Sequence, residues 1–294
     1  MWIEQYNKPP SPLWRAWAEF RRHSLLLYAL YLLLALLLIT PLAPWLAPYS
    51  LDEQHRDNLL LPPAWEMGGN FSHFLGTDDL GRDLLTLLLY GSQSTFGAAL
   101  LVVLMAALIG ISLGVVAGFS RGIRSSVLHH LFDATLSIPT LLLAAALIAL
   151  LGPGLLAVLL AVFLNQLPQF IRTTRATLLR ELNKPYVTAA RLDGQSSTRL
   201  FFMTLLPNLA EPLLMQFCTS LTTAILDIAA LGFLRLGAQQ PQAEWGAMLS
   251  GGLEHLNQSP WMVALPGLAL LLTVLSIHIV AEGLRQSLER SSKG

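Results

Sequence analysis

Residues 90–120, YGSQSTFGAALLVVLMAALIGISLGVVAGFS, contain no charged side chain and decide the fold class. A helix that crosses about 30 Å of hydrocarbon needs about 20 mostly apolar residues, so this stretch predicts a transmembrane span. The whole chain agrees, because 54% of its 294 residues are hydrophobic and only 12% are charged. Soluble domains carry about 25% charged residues. We therefore expect an all-α polytopic membrane protein, not a soluble enzyme or a nucleic-acid-binding protein.

Five further apolar stretches predict the other membrane spans. The first covers residues 24–46 and is closed by prolines 41, 44 and 48. Its length and the polar-rich residues 1–23 before it argue against a cleaved signal peptide. The uncharged stretch between Asp133 and Arg172 is long enough for two spans, 128–151 and 155–171, with a turn at the Gly-Pro-Gly of residues 152–154. The last two spans are predicted at 212–234 and 261–281, which gives six transmembrane helices.

The basic residues predict the orientation, because Lys and Arg accumulate in cytoplasmic loops. With six spans both termini lie on one side, and only Arg56, Arg82 and Arg235 fall on the other side. We therefore expect both termini in the cytoplasm of a bacterial cell, with the chain in its inner membrane. The expected divisions are a cytoplasmic segment 1–23, a first helix 24–46, an outer loop 47–89, a five-helix core 90–285 with an inner loop 172–211, and a tail 286–294.

Several side chains inside the predicted spans are candidates for packing or for a transport path. Gly110, Gly114 and Gly118 fall on one helical face, where small residues let helices approach closely, within this chain or against another subunit. Charged side chains at membrane depth usually face a bundle interior or a cavity. Asp227 is therefore either a path residue or a structural partner. Asp133, near the cytoplasmic start of its span, is either a path residue or a side chain that reaches the headgroups or caps a helix. Gln166 is a further candidate for either role.

The inner loop 172–211 predicts a helix–turn–helix. Pro185 suits a first helical turn, after which Tyr186, Ala189 and Ala190 follow on one side of a short helix. Gly194 marks the turn, Ser196 or Ser197 caps a second helix at 198–206, and Pro207 ends that helix. Small apolar residues on one face indicate a segment that docks into a groove on a partner.

At these residues the chain resembles type-1 ABC importer permeases. Residues 186–194, YVTAARLDG, and 205–208, LLPN, resemble their cytoplasmic EAA loop, with matches at Ala189, Ala190, Gly194, Leu206 and Pro207. Thr188 replaces the glutamate of that motif. Residues 75–83, LGTDDLGRD, and 244–249, EWGAML, resemble the outer motifs of dipeptide and oligopeptide permeases of the C type. Residues 225–239, ILDIAALGFLRLGAQ, are similar to the C-type permeases of Sap systems, which are linked to antimicrobial-peptide resistance, peptide uptake and putrescine export.

The resemblance implies a type-1 permease bundle driven by separate subunits. The implied partners are two ATPases (SapD- and SapF-like), a second permease (SapB-like) and a periplasmic binding protein (SapA-like). ATP and Mg²⁺ would be bound by the ATPases and no cofactor by this chain, which has no Gly-Lys pair and hence no P-loop. The implied ATPase-coupling residues are Tyr186, Ala189, Ala190, Asp193, Gly194, Leu206 and Pro207. The corresponding outer motif consists of Gly76, Thr77, Asp78, Gly81, Arg82 and Asp83.

Other functions have less support in the sequence. A secondary transporter or channel working without ATP would need an inverted repeat or a dense row of intramembrane charges, and neither is visible. No paired-carboxylate or Ser/His/Asp grouping indicates an enzyme, and the scattered histidines with the single Cys218 do not predict a metal site. We therefore expect a permease subunit that moves peptides, including cationic ones, or a polyamine such as putrescine.

Overall fold

The computed structural model describes residues 18, 20, 21, 23–120, 139–196 and 199–293, with side chains up to Ser287. In these residues the regular structure is helical. The main helices are α1 (Ser24–Leu46), α2 (Leu84–Phe119), α3 (Thr140–Leu151), α4 (Leu155–Leu182), α5 (Pro185–Leu192), α6 (Leu200–Phe233), α7 (Trp245–Gly252) and α8 (Trp261–Lys293). Helices α2 and α6 each include one π-helical turn, at Gln93–Gly97 and Leu200–Leu205 respectively.

Five of these helices, α1, α2, α4, α6 and α8, are long and apolar enough to cross a membrane. Helix α3 has 12 residues and is about 18 Å long, which is too short for a crossing. It coincides with the last part of the span predicted at 128–151, whose beginning lies outside the described residues. The predicted turn between α3 and α4 is confirmed, and Gly152 there has a φ of +85°.

The bundle has two ends that are named here by the short helices they carry. Helix α5 and the start of α6 lie at the α5 end, where Phe119 of α2 packs against Phe201. Helix α7 and the loop before α2 lie at the α7 end. Leu26, near the start of α1, lies against Gly283, near the end of α8. Thr40, near the end of α1, contacts Gln93 near the start of α2, on the side of α7. The first described span therefore begins, and the last ends, at the α5 end.

Two helices extend beyond the predicted spans. Helix α4 was expected to end near Ile171 but continues to Leu182, because a helix can run on past the apolar residues that lie in the membrane. Helix α2 begins at Leu84, not near Tyr90, because the Asp83 side chain accepts a hydrogen bond from the Thr86 N–H (2.8 Å) and caps the helix there.

The expectation that Pro207 ends a helix is wrong. The chain continues as one helix from Leu200 through Pro207 to Phe233. In a regular α-helix the proline ring would clash with the carbonyl four residues earlier, and the widened π-helical turn lies directly before Pro207. The start of this helix is capped as predicted, since the Ser196 hydroxyl accepts a hydrogen bond from the Arg199 N–H.

Prolines 41 and 44 were expected to close α1 but lie inside its last turns. Pro44 has no N–H, so it leaves the carbonyl of Thr40 without its helical donor. The side-chain amide of Gln93, in the π-helical turn of α2, donates to this carbonyl at 2.9 Å. The proline is therefore tolerated because a neighbouring helix satisfies the freed carbonyl.

Three glycines allow a close contact between α2 and α4. Gly110, Gly114 and Gly118 are buried, and each faces α4. A Cβ on Gly110 would lie 2.5 Å from Cβ of Phe170, and a Cβ on Gly114 would lie 2.6 Å from Cβ of Thr174. Only hydrogen fits at these positions, as expected where helices pack closely in a membrane.

We predict that Gly114→Ala lowers the thermal unfolding midpoint of the purified chain, because overpacking costs about 1–3 kcal/mol. Gly267→Ala in α8 is the matched control, since its Cβ would meet only Leu249 Cδ2 at 3.7 Å. The control is expected to leave the midpoint unchanged or raised, because alanine favours a helix over glycine. Equal midpoints for the two variants would contradict the close packing.

Candidate coupling face and membrane polar ladder

The turn after α5 requires a glycine. Pro185 is the first residue of the helix, as predicted. At the other end Gly194 has a φ of +77°, and the Gln195 N–H donates to the Ala190 carbonyl at 3.2 Å. This pattern is a helix C-terminus closed by a left-handed residue, which glycine adopts without strain.

Helix α5 is anchored through an apolar face. Val187 and Ala190 are buried in a cluster that includes Leu178 of α4 and Leu205 and Leu209 of α6. Ala189 points outward, because neighbouring residues are about 100° apart on a helix. The sequence predicted Ala189 and Ala190 on one side of the helix. In the structure Ala190 lies on the anchoring side and Ala189 on the exposed side.

The hydroxyl of Tyr186 connects α5 to both spanning helices. It donates to the Glu181 carboxylate at the end of α4 and accepts from the side-chain amide of Asn208 in α6 at 3.3 Å. Burial, and then the bond to Glu181, raise the pKa of Tyr186 to about 12. The hydroxyl therefore stays protonated at neutral pH. Lys184 Nζ also lies 2.6 Å from Glu181 Oε1.

Large apolar side chains are exposed next to this anchor. Leu192 is 83% exposed, Met203 68% and Phe202 61%. Asp193, Gly194 and Pro207 are exposed as well, and Leu206 is half-buried. We call this set, with Tyr186 and Ala189, the coupling face. An exposed apolar face of this kind typically marks an interaction site.

A second group of polar residues lies inside the membrane and begins at Asp227 of α6. Its carboxylate lies near the Thr140 hydroxyl of α3, and Oδ2 has no hydrogen-bond partner among the described residues. The Thr140 oxygen accepts a hydrogen bond from the Asn165 amide of α4. The NH₂ group of an amide can only donate, which fixes the direction of this bond.

The same direction continues toward the α5 end. Gln169 Nε2 donates to Asn165 Oδ1 at 3.3 Å, and Gln216 Nε2 donates to Gln169 Oε1 at 3.5 Å. Thr173 Oγ1 donates to Gln216 Oε1 at 2.9 Å. Gln216 also donates to Ser220. We call the connected residues the polar ladder: Thr140, Asn165, Gln169, Thr173, Gln216, Ser220 and Asp227.

The ladder includes only one of the predicted path residues. Asp227 ends it, whereas Gln166 is fully buried and its amide has no hydrogen-bond partner among the described residues. Asp133 lies outside the described residues. The sequence analysis missed Gln169, Thr173 and Gln216, although the spacing of residues 165, 169 and 173 at four places puts them on one helical face.

The outer motif at the α7 end holds the loop before α2 in place. Thr77, Asp78 and Asp83 are buried. The Asp78 carboxylate accepts hydrogen bonds from the backbone N–H groups of Leu80 and Arg82. It also forms an ion pair with the Arg82 guanidinium at 2.7 Å. Gly76 and Gly81 have φ values of +85° and +74°, and a Cβ on either would lie 2.3 Å from a backbone carbonyl oxygen.

A buried glutamate joins α7 to α2 at the same end. Glu244 is fully buried and accepts hydrogen bonds from the N–H groups of Gly246 (2.7 Å) and Ala247 (2.8 Å) and from the Thr95 hydroxyl (3.0 Å). Burial raises the pKa of Glu244, and these three donors offset part of the rise. Thr95 belongs to the π-helical turn of α2, which is therefore fixed by α7.

A cleft of about 580 Å³ opens beside this glutamate, between α7 and the loop before α2. Its charged lining includes Asp79, Arg82, Arg235 and Glu254. Arg82 and Arg235 already form ion pairs, with Asp78 and Glu254 respectively. The cleft therefore offers more acidic than basic groups to its surroundings.

This arrangement of spanning helices is the fold of an ABC-transporter permease. A solved structure of the MetNI methionine ABC transporter in an inward-facing conformation matches with a TM-score of 0.57 at 18% identity, over 69% of this chain and 96% of that chain. The likeness shows the fold.

Sequence comparison shows the family. Residues 110–293 match the binding-protein-dependent transport system inner membrane component, and residues 11–63 match the N-terminal transmembrane domain of oligopeptide transport permease C. The di/tripeptide permease DppC of Pseudomonas aeruginosa is 44% identical, over 97% of this chain and 94% of DppC. The peptide permease SapC of Escherichia coli O6:H1 is 43% identical and that of Salmonella typhimurium 46%, each over 96% of this chain and 95% of SapC.

The chain belongs to the family of binding-protein-dependent inner-membrane permeases. It is therefore a multi-pass component of the inner membrane and is not itself an enzyme. ATP is bound by partner ATPase subunits, as this family implies, and the permease carries no cofactor.

We predict that Glu244→Gln lowers the unfolding midpoint, because glutamine offers one acceptor oxygen where Glu244 uses two. Leaving a buried N–H without its acceptor costs about 1–3 kcal/mol. The matched control is Glu254→Gln, whose side chain is 69% exposed in its pair with Arg235 and is expected to change stability by at most about 1 kcal/mol. Thermal unfolding followed by tryptophan fluorescence measures both, and a larger loss in the control would refute the assignment.

Proposed function

We propose that this chain is a permease subunit of an ABC importer for peptides. The DppC and SapC relatives support peptides as the cargo. The observation that carries the proposal is that the exposed coupling face is joined, through Tyr186 and a buried apolar cluster, to the two helices that hold most of the polar ladder.

The proposed topology has six spans and both termini in the cytoplasm. The third predicted span, 128–151, ends with α3 and begins outside the described residues. Six spans agree with the position of the first and last described spans at the α5 end. The α5 end then faces the cytoplasm, where 15 of the 18 basic residues lie. This topology gives the divisions 1–23, 24–46, 47–89, 90–285 and 286–294. Helix α2 begins at Leu84, inside the division 47–89.

We propose that the coupling face binds an ATPase subunit. Closure of the ATPase pair would then displace this face. Because α5 is anchored to α4 and α6, its displacement would move both helices as one body. Their movement would open the bundle toward one side of the membrane and then the other, as in a hinge or rocking transition. A second permease would form the other half of the path, and a periplasmic binding protein would deliver cargo at the α7 end.

The path would follow the polar ladder. Asp227 lies where an unpaired charge is costly in lipid, by about 2.5–3.5 kcal/mol on insertion scales, so a polar surrounding is expected there. Asp133 remains a path candidate from the sequence alone, and the full burial of Gln166 favours a packing role for that residue.

A second candidate cargo is a cationic peptide or a polyamine such as putrescine. The observation that favours it is the acidic side chain of Asp227 within a spanning helix, whose Oδ2 has no hydrogen-bond partner among the described residues. The identities to DppC and SapC are similar, so they do not favour the Sap-type partners over those of a dipeptide system. Uptake of labelled putrescine beside a labelled peptide separates the two cargoes.

We predict that Leu192→Asp abolishes ATP-driven peptide uptake and reduces co-purification of the ATPase subunits. The side chain is almost fully exposed, so the fold should remain intact while an apolar docking contact becomes charged. Leu59→Asp, at a residue 52% exposed in the outer loop, is the matched control and should retain both properties.

The same experiment tests the alternative of a secondary transporter or channel. Uptake that continues without ATP, or that is unaffected by Leu192→Asp, would contradict coupling through this face and favour the alternative.

A further inference from the structure

We infer that the cleft at the α7 end binds a lysine or arginine side chain of the peptide cargo. This inference rests on the proposed function, because it assumes that the transporter carries peptides and receives them at the α7 end. It adds a binding site outside the polar ladder and names the chemical class of side chain that this site accepts.

The cleft has the size and the shape of a ligand site. Its volume of about 580 Å³ lies within the range of about 300–1,000 Å³ that is usual for small-molecule sites. Its walls come from the loop before α2, the start of α2, the segment after α6, and helices α7 and α8. We therefore assign to it a part of the cargo, which is small, in preference to the surface of a protein.

One wall of the cleft is apolar. It is formed by Leu84 and Leu87 of α2, Met248 of α7 and Met262 of α8. Lysine and arginine have long methylene stems, which bind to apolar surface while the charged end stays in water. Methionine is flexible and fits partners of different shape. This wall therefore suits the stem of a long cationic side chain.

An acidic group of the lining is free to pair with such a side chain. Asp79 is exposed, lines the cleft, and its carboxylate has no hydrogen bond or ion pair with another described residue. The two basic groups of the lining already have acidic partners. Arg82 pairs with Asp78 at 2.7 Å, and Arg235 pairs with Glu254 at 3.0 Å. A cation therefore meets a free carboxylate in the cleft, whereas an anion meets only bases that are already paired.

The pair of Arg235 and Glu254 adjusts the charge of the same cleft. The two side chains are 67% and 69% exposed, so either can be replaced without opening the core. Removal of the acid leaves Arg235 as an unpaired cation, and removal of the base leaves Glu254 as a second free carboxylate. The two changes therefore have opposite effects on a bound cation.

Amide groups of the lining favour a peptide over a free amine. Gln240 and Gln242 line the cleft and are exposed. A carboxamide both donates and accepts hydrogen bonds, so it can pair with the N–H and C=O groups of a peptide. A polyamine has no carbonyl group to accept such a bond. The cleft thus offers contacts to the main chain of the cargo as well as to its charged side chain.

Gly251 allows a direct measurement of occupancy. It lines the cleft, and a Cβ there would meet nothing within 4 Å, so Gly251→Cys places a thiol in the cleft without a clash. The assay uses the full transporter in lipid nanodiscs, with this subunit in a Cys218→Ser background. It follows the reaction of the thiol with N-ethylmaleimide, which is uncharged. The same transporter without Gly251→Cys gives the background rate.

The probes are Ala-Lys-Ala, Ala-Ala-Ala and Ala-Glu-Ala, each with an N-acetyl group and a C-terminal amide. Their ends carry no charge, so they differ only in the central side chain. We expect Ala-Lys-Ala to slow the reaction about tenfold when it saturates the cleft, because only the unoccupied site reacts. The other two peptides should leave the rate unchanged.

The charge variants give the sign of the effect. Asp79→Asn should raise the concentration of Ala-Lys-Ala that gives half protection about fivefold, which is the effect of one exposed ion pair. Glu254→Gln should also raise this concentration, whereas Arg235→Gln should lower it, because it frees the Glu254 carboxylate. Glu66→Gln is the matched control, since Glu66 is exposed in the outer loop and does not line the cleft. It should leave the concentration unchanged.

Equal protection by the three peptides, or by none of them, would overturn this inference. An unchanged half-protection concentration in both Asp79→Asn and Arg235→Gln would also overturn it. Protection by the peptide-free binding protein, with none by Ala-Lys-Ala, would do the same and make the cleft a docking surface for a protein. These results leave the proposed function intact, because the labelling needs no ATP. If the wild-type transporter moves no labelled peptide with ATP, the proposed function itself fails.

Discussion

The structure depends on one contact, which is the packing of the short helix α5 against two of the membrane-spanning helices. The Tyr186 hydroxyl lies between Glu181 of α4 and Asn208 of α6, and Val187 is buried between the same two helices. Without these contacts α5 would be an eight-residue helix, which is too short to be stable alone in water. Its docking surface is therefore also the end of two spanning helices.

The remaining architecture follows from this attachment. Helix α4 is held against α2 by Gly110 and Gly114, which leave no space for a side chain. Helices α4 and α6 carry six of the seven ladder residues, so the helices that anchor α5 are also the ones that hold the ladder. At the opposite end, Glu244 fixes α7 to α2. Packed helices thus connect the coupling face at the α5 end, the polar ladder within the spanning helices and helix α7 at the other end.

Composition and spacing predicted much of this structure. The thickness of the hydrocarbon core sets the length of an apolar span, and the helix period sets which residues share a face. The beginnings of α1 and α8, the turn at Gly152 and the first residue of α5 agree with prediction. Pro207 misled the prediction, because proline ends a regular helix but not one widened by a π-helical turn. The ladder was missed because its bonds between α4 and α6 join residues 43 and 47 positions apart, which come together only when the two helices pack.

The central claim is that α5, α4 and α6 move as one body when the ATPases bind ATP. In a Cys218→Ser background, spin labels at the exposed residues Thr188 of α5 and Thr219 of α6 report the distance within that body. A second pair, Thr188 and Leu271 of α8, reports movement against the rest of the bundle. On adding a non-hydrolysable ATP analogue to the full transporter, we predict an unchanged first distance and a changed second one. A change in the first distance with the second unchanged would contradict the account.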